Sequence, residues 1–569
     1  MSEYIVTLKN YSDLDDFYTQ MEESSGSDTI PSRKCTCTSR RKISRNTHYD
    51  LSEQEVLELA KDSRVSSIEI PPYKIEGLKA EPLWDQTADF QKNSSSISST
   101  DKNWGLFRTM NGASITNWGN DNTTSINRTI KTTSSGKNVD VVIVDNHIVG
   151  SHPEFMVNAD GSGGTRFVPF NWFQYSSALG YTTNPTYSYS NTSGFYADGF
   201  HGTHVAGTVA GNTQGWARDA NIYNMEFQDY ADGSLYTGPN TAQWNSMLWD
   251  YLRYFHKNKD INPATGRRNP TITNHSWGWN QGTNTVNQIN SVTYRGTTTS
   301  VTGSTSERQA ILEANGVPCL YGSYLYRVPY RVPSIDADIA DAVADGVVVI
   351  SAAGNSFWPM DVPSGQDYNN YVSISPTDPK YHTRGSTPAA ATGVICVGSV
   401  GSKTAEYKSD FSNYDERIDV WAAGSQVISS IGSPRDPSAS NIPMGYGNNT
   451  TDSRNSSFKI ASISGTSMAS PQVTGYIACL AEQEPNLTNA DILQHLIENS
   501  KANVADAGAS NPVQSPNESL ADSPNRWLFY VKKRPESGVT YPSITQKNRN
   551  PTIDGVKYPR VSSLITKTS

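Results

Sequence analysis

The chain has 569 residues, of which 36% are hydrophobic and 18% charged; this supports a large core with attachments and excludes disorder as its main state. A formal net charge of -9 removes any general electrostatic reason to bind nucleic acid or an anionic membrane, so neither is expected as a partner. No apolar run reaches the ~18 residues that a membrane span needs, and the opening MSEYIVTLKNYSDLDDF lacks the basic, apolar and small-residue order of a signal peptide, so synthesis in a cytoplasm is expected.

Residues 1–78 read as a small α+β unit of the ferredoxin-like kind. Tyr4, Val6 and Leu8 alternate as in a strand, and Ser12 offers an N-cap to a helix carrying Leu14, Phe17, Tyr18 and Met21. Cys35 and Cys37 lie in RKCTCTSRRK with no second pair at zinc-finger spacing, so an exposed loop is expected there. Ser52 and Glu55 form a capping box flanked by Leu51 and Val56 at the positions of a hydrophobic staple. A strand around Val65 to Ile70 completes a β-α-β-α-β order.

Residues 79–103, with QKNSSSISSTDKN, have the composition of a linker. From 104 to 505 the runs VDVVIVD, GVVVISAAGN and GVICVGSV predict strands buried on both faces of a mostly parallel sheet, hence an α/β domain. Trp244, Met247, Leu248, Tyr251, Leu252 and Phe255 share one helix face, and a second helix from about Ile335 to Ala344 stops at Gly346. The polar stretches 156–195, 280–332, 356–386 and 432–458 are expected as surface insertions, and 506–569 as a low-complexity tail.

Three segments carry chemistry. VVIVDNHIVGSHPEF puts Asp145 at the end of a buried strand, FHGTHVAGTVAG puts His201 at the start of a small-residue helix, and ISGTSMASP sets Ser467 among residues that permit close backbone approach. An aspartate that orients an imidazole, an imidazole that takes a proton and a hydroxyl that attacks a carbonyl are the parts of a serine hydrolase. The chain order Asp, His, Ser separates it from the orders of α/β-hydrolases and chymotrypsin-like enzymes.

VVIVD with HPEF, HGTHVAGT and GTSMASP, in that order, resemble the three signatures of the subtilisin-like serine proteases, the subtilases. The resemblance implies a subtilisin-like three-layer domain in which Asp145 orients, His201 is base and then acid, and Ser467 is the nucleophile. ISAAGN resembles the family strand that supplies an oxyanion-binding amide, here Asn355. HSWGW resembles the family's edge strand for an extended polypeptide substrate, which would make Ser276, Trp277 and Gly278 substrate-binding, with Ala352 to Gly354 as the opposite wall. NWGLFR at 103–108 resembles the start of the mature enzyme, and residues 1–78 resemble a propeptide that inhibits its own protease, with cleavage expected between about 75 and 103.

Departures from the family pattern qualify these expectations. His147 stands where the family has glycine, and His147 and His204 are rival imidazoles to His201. Glu154 stands where relatives place a calcium ligand, but the loop after HGTHVAGT is too short to supply the other ligands, so no cofactor is expected and calcium is weakly supported. Two readings stay open: a serine endopeptidase made as a self-inhibited zymogen, or a catalytically idle subtilase fold that joins a larger assembly through its insertions and tail. The two coexist if the protease is carried in a particle such as a virion.

Overall fold

The computed structural model describes residues 2–23, 34–40, 44–69, 71, 84–92, 96–119, 125–181, 200–226, 244–281, 284–319, 324, 325, 327–375, 379–432, 448–506, 518–531 and four residues between 552 and 557. Residues 75–83 and 93–95 of the expected cleavage stretch, parts of the insertions and most of the tail beyond 531 lie outside the described residues. The chain divides into two compact units, Met1–Glu81 with Gly538–Ser569, and Pro82–Ser537.

In the first unit an antiparallel sheet runs in the order Cys37–Arg40, Asn46–Leu51, Ser2–Leu8, Val65–Glu69. The helices Leu14–Glu22 and Glu53–Leu59 make the sequence of elements β-α-β-β-α-β, one strand more than the spacing suggested. That strand is Cys37–Arg40, so the expected exposed loop is corrected: Cys35 is buried and Cys37 half-buried. The capping box is present, with Ser52 accepting from the Glu55 N–H and Glu55 accepting from the Ser52 N–H. Val6, Leu8, Phe17, Met21, Tyr49, Leu51 and Leu59 form this unit's own core.

The second unit is built on seven strands, all parallel, in the order Val420–Ala423, Ile395–Val400, Val348–Ala352, Thr271–His275, Asp140–Asp145, Asn221–Glu226, Phe167–Val168. Every residue of Asp140–Asp145 is buried, as a strand covered on both faces requires. One apolar cluster holds the helices Phe200–Ala210 and Thr466–Gln483, and a second holds Trp244–Asn258 and Pro333–Ala344. Thr466 to Ala481 are all buried, so the helix after Ser467 has no solvent face along that length.

The expected linker is partly core. Trp84–Gln91 pairs antiparallel along its whole length with Ser125–Thr132. Its polar residues form cross-strand bonds, Thr87 to Thr129 and Asn127 to Asp89, while Phe90 is buried. Lys92 donates to Glu406 at 2.5 Å and Arg108 to the same carboxylate at 2.6 Å, all three out of solvent. Residues 518–531 also join the domain, because Trp421 donates to the Arg526 carbonyl at 2.8 Å and Leu528 to the Trp421 carbonyl at 2.8 Å. The segment covers the sheet's terminal strand and buries Trp527, Leu528 and Tyr530. Two insertions fold together: Ser291–Tyr294, Thr297–Ser300, Tyr371–Ser373 and Pro379–Tyr381 make an antiparallel sheet with a separate apolar cluster.

Candidate active site

Parallel sheets gather functional groups at the C-terminal ends of their strands. Asp145 ends its strand with its carboxylate turned to the helix Phe200–Ala210, and His201 Nδ1–H donates to Asp145 Oδ1 at 2.7 Å. A carboxylate only accepts, so Nδ1 carries the proton and Nε2 keeps its lone pair. The next residue fixes the two elements together: Asn146 Oδ1 accepts from the Gly202 N–H at 2.8 Å. A Cβ at Gly202 would lie 2.3 Å from the Asn146 carbonyl oxygen and 2.7 Å from that of His147, which is why the residue after the histidine has no side chain. Burial works against a charged His201, but the Asp145 carboxylate outweighs it, and the imidazole is raised above its ordinary range.

Neither rival imidazole joins Asp145. His204 Nε2 lies 3.0 Å from the Val427 carbonyl and 3.1 Å from that of Ala461, and burial lowers it to about 3, so it is a neutral structural group. His147 is buried with its Nδ1 against the carboxylate of Glu226, the residue in register with Asp145 on the neighbouring strand.

Ser467 is the second residue of its helix, and its Oγ donates to the Ser276 carbonyl at 3.1 Å. In return Ser276 Oγ donates to the Ser467 carbonyl at 2.9 Å. Pro471 explains that second bond: it occupies the position whose N–H would otherwise take the Ser467 carbonyl in the helix ladder, and proline has none. Asn274 Nδ2 donates to Ser276 Oγ at 2.9 Å, while its Oδ1 accepts from Ser470 and Thr474, so strand and helix interlock behind the serine.

Asn355 is held by Thr466. Its Oδ1 accepts from the Thr466 N–H at 2.8 Å and the Thr466 hydroxyl at 2.7 Å. Since Oδ1 must face those donors, Nδ2 is on the other side, near Gly465, with no partner among the described residues. Thr466 Oγ also accepts from the Gly354 N–H at 3.1 Å. Gly354 has φ +109, and a Cβ there would lie 2.5 Å from Asn413 Nδ2. Ala352 ends its strand, buried, beside Val397.

The expected edge strand is corrected in one respect. Thr271–His275 pairs on both sides and is interior; Ser276, Trp277 and Gly278 are the residues that run beyond its end. Trp277 donates to the Val144 carbonyl at 2.9 Å and packs against the second core, and a Cβ at Gly278 would lie 2.8 Å from Ser386 Oγ. Sequence reasoning missed Thr466, Asn146, Asn274 and Glu226; polar residues at Asn274 and Glu226 within strands otherwise buried were a signal available for two of them.

Glu154 does not fit a calcium site. Its side chain is wholly buried and both carboxylate oxygens are engaged by donors from Thr213, Gln214 and Arg454. Among the described residues no group of three or more His, Cys, Asp or Glu is placed to hold a metal, and no helix is long and apolar enough to cross a membrane.

A parallel α/β sheet with an aspartate at a central strand end, a histidine on the facing helix and a serine opening a buried helix defines the class. The Subtilase family model matches residues 136–514, and the chain belongs to that family. It is 28% identical over 281 residues to "Subtilisin-like protease 2" of Pseudogymnoascus destructans, covering 49% of this chain and 42% of the relative. It is 25% identical over 397 residues to "Alkaline proteinase" of Hapsidospora chrysogena, covering 70% and 62%, and 25% identical over 364 residues to "Subtilisin" of Bacillus pumilus, covering 64% and 83%. The chain thus spans less than two thirds of the length of the first two relatives. A solved structure, that of a cold adapted subtilisin-like serine proteinase, is 19% identical with a TM-score of 0.41, covering 75% of this chain and 98% of its own.

Proposed function

We propose that the chain is a serine endopeptidase that cleaves extended polypeptides through an acyl-enzyme, and that its first unit is a propeptide acting as an intramolecular inhibitor. The observation that carries the reading is the 2.7 Å bond from His201 to Asp145, which leaves Nε2 as the available base. Ser467 Oγ rotates from the Ser276 carbonyl to His201 Nε2, gives up its proton and adds to the substrate carbonyl. The resulting oxyanion takes hydrogen bonds from Asn355 Nδ2 and the Ser467 N–H at the helix start, where the helix dipole also favours negative charge. The imidazolium then protonates the leaving amine, and water releases the acyl group by the reverse sequence.

Ser276 to Gly278, which run beyond the end of their strand, offer backbone to an extended substrate, with Ala352 to Gly354 opposite. The test compares the intact chain with Ser467→Ala for N-termini by mass spectrometry and for labelling by a fluorophosphonate. Processing and labelling lost together in the variant support the proposal. A wild type that never labels refutes the activity; one that labels but is never shortened refutes the zymogen alone.

A further inference from the structure

We propose that the Arg454 guanidinium is the resident cation of the buried Glu154 pocket, standing where the family resemblance puts a calcium ion, and that its removal turns the pocket into a divalent-cation site. This stands independently of the peptidase reading.

Four separate segments meet there. Glu154 sits in the turn Pro153–Phe155, Thr213 and Gln214 follow the His201 helix, Lys102 precedes the helix Trp104–Asn111, and Asp452 and Arg454 belong to the insertion. Glu154 Oε1 accepts from Thr213 Oγ1 at 2.6 Å and from Arg454 Nη2; Oε2 accepts from the N–H groups of Thr213 at 2.9 Å and Gln214 at 3.1 Å. Four donors fill the ordinary lone-pair capacity of a carboxylate, so none is left for a metal ion.

Arg454 in turn bridges two carboxylates, as a divalent cation does. Its Nε donates to Asp452 Oδ1 at 2.9 Å, its Nη2 to Asp452 Oδ2 at 2.6 Å, and its Nη1 to the Ala159 carbonyl at 3.4 Å. Glu154 and Asp452 already face two cations, Arg454 and Lys102, the second shared with Asp101, so a divalent ion would enter beside two positive charges in a desolvated place. Burial pushes the Glu154 carboxyl up, but Arg454, Lys102 and the Thr213 bonds prevail and bring it down to about 2. A Cβ at Gly211 would lie 2.4 Å from Glu154 Oε2, so the turn is closed tightly over the carboxylate.

Without the guanidinium, Glu154 Oε1, Asp452 Oδ2 and the Ala159 carbonyl face one space, while the backbone N–H of residue 454 still holds Asp452 Oδ1 at 2.9 Å. Oxygen donors with two carboxylates among them suit calcium, with waters completing the shell.

The experiment uses the full chain in a Ser467→Ala background, which prevents self-digestion, and reads melting temperature in millimolar EDTA or millimolar calcium chloride. Arg454→Ala is expected to melt about 5 °C lower than its parent in EDTA, and to regain most of that in calcium. Adding Glu154→Gln to Arg454→Ala should abolish the calcium response. Arg454→Lys, which keeps the charge without the fork, should melt between the two. If Arg454→Ala does not fold in EDTA, its refolding yield with and without calcium gives the same reading. The proposal is overturned if Arg454→Ala melts with its parent, if it gains nothing from calcium, or if the parent itself shows a calcium-dependent gain that Glu154→Gln removes.

Discussion

The Asn355 amide depends on Thr466, and Thr466→Val tests how far. Valine has nearly the same shape, and the site is fully buried, so no cavity opens. The change deletes the 2.7 Å hydroxyl bond to Asn355 Oδ1 and the acceptor of the Gly354 N–H at 3.1 Å, and leaves the 2.8 Å backbone bond, so Asn355 keeps one of its two anchors. One neutral hydrogen bond contributes about 0.5–1.5 kcal/mol net, so kcat should fall roughly 3- to 10-fold with KM unchanged. Asn355→Asp retains the accepting oxygen but replaces the donor by a second acceptor. General experience with oxyanion donors, subtilisin's among them, puts that loss at about 10² to 10³ in kcat, or about 3–4 kcal/mol. Both are measured as kcat and KM on a chromogenic peptide, normalised to the fraction of chains that a fluorophosphonate labels at completion. An Asn355→Asp enzyme within a few-fold of wild type would show that the amide does not meet the oxyanion; a Thr466→Val loss confined to KM would show that Thr466 does not orient it.

Three further outcomes are expected. Because the base must be neutral to act and Asp145 raises His201, the acid limb of kcat/KM should lie above the usual imidazole range. Asp145→Asn should move it to lower pH while kcat falls about 10⁴-fold; a limb that stays put would exclude His201 as the titrating base. Glu154 has a folded pKa of about 2 against an ordinary 4.5, so its contribution is complete above pH 4.5 and is lost as pH falls toward 2. Urea titrations should show about 3 kcal/mol of that acid-side loss missing in Glu154→Gln, and equal slopes in both proteins would contradict it. Ending the chain after residue 505 should prevent folding, since Trp527, Leu528 and Tyr530 leave the core at roughly 1.5–3 kcal/mol each. Ending it after 537 should leave a soluble second unit, as circular dichroism and a cooperative melt would show.

The strand that ends at Asp145, the helices that begin beside His201 and Ser467, the capping box at Ser52 and the buried strands were legible in the sequence because each signal is local. A run such as VDVVIVD is buried on both faces whatever lies beside it, and small residues beside a functional one announce close approach. The chain could not show that Pro471 frees the Ser467 carbonyl for Ser276, that Thr466 turns Asn355, or that Arg454 crosses 300 positions to Glu154. Nor could serine-rich composition reveal that Phe90 and Lys92 belong to the core. Periodicity and propensity record what a residue does with its near neighbours, whereas a partner hundreds of positions away is chosen by packing, which sets which of many chemically suitable side chains arrives within bonding distance.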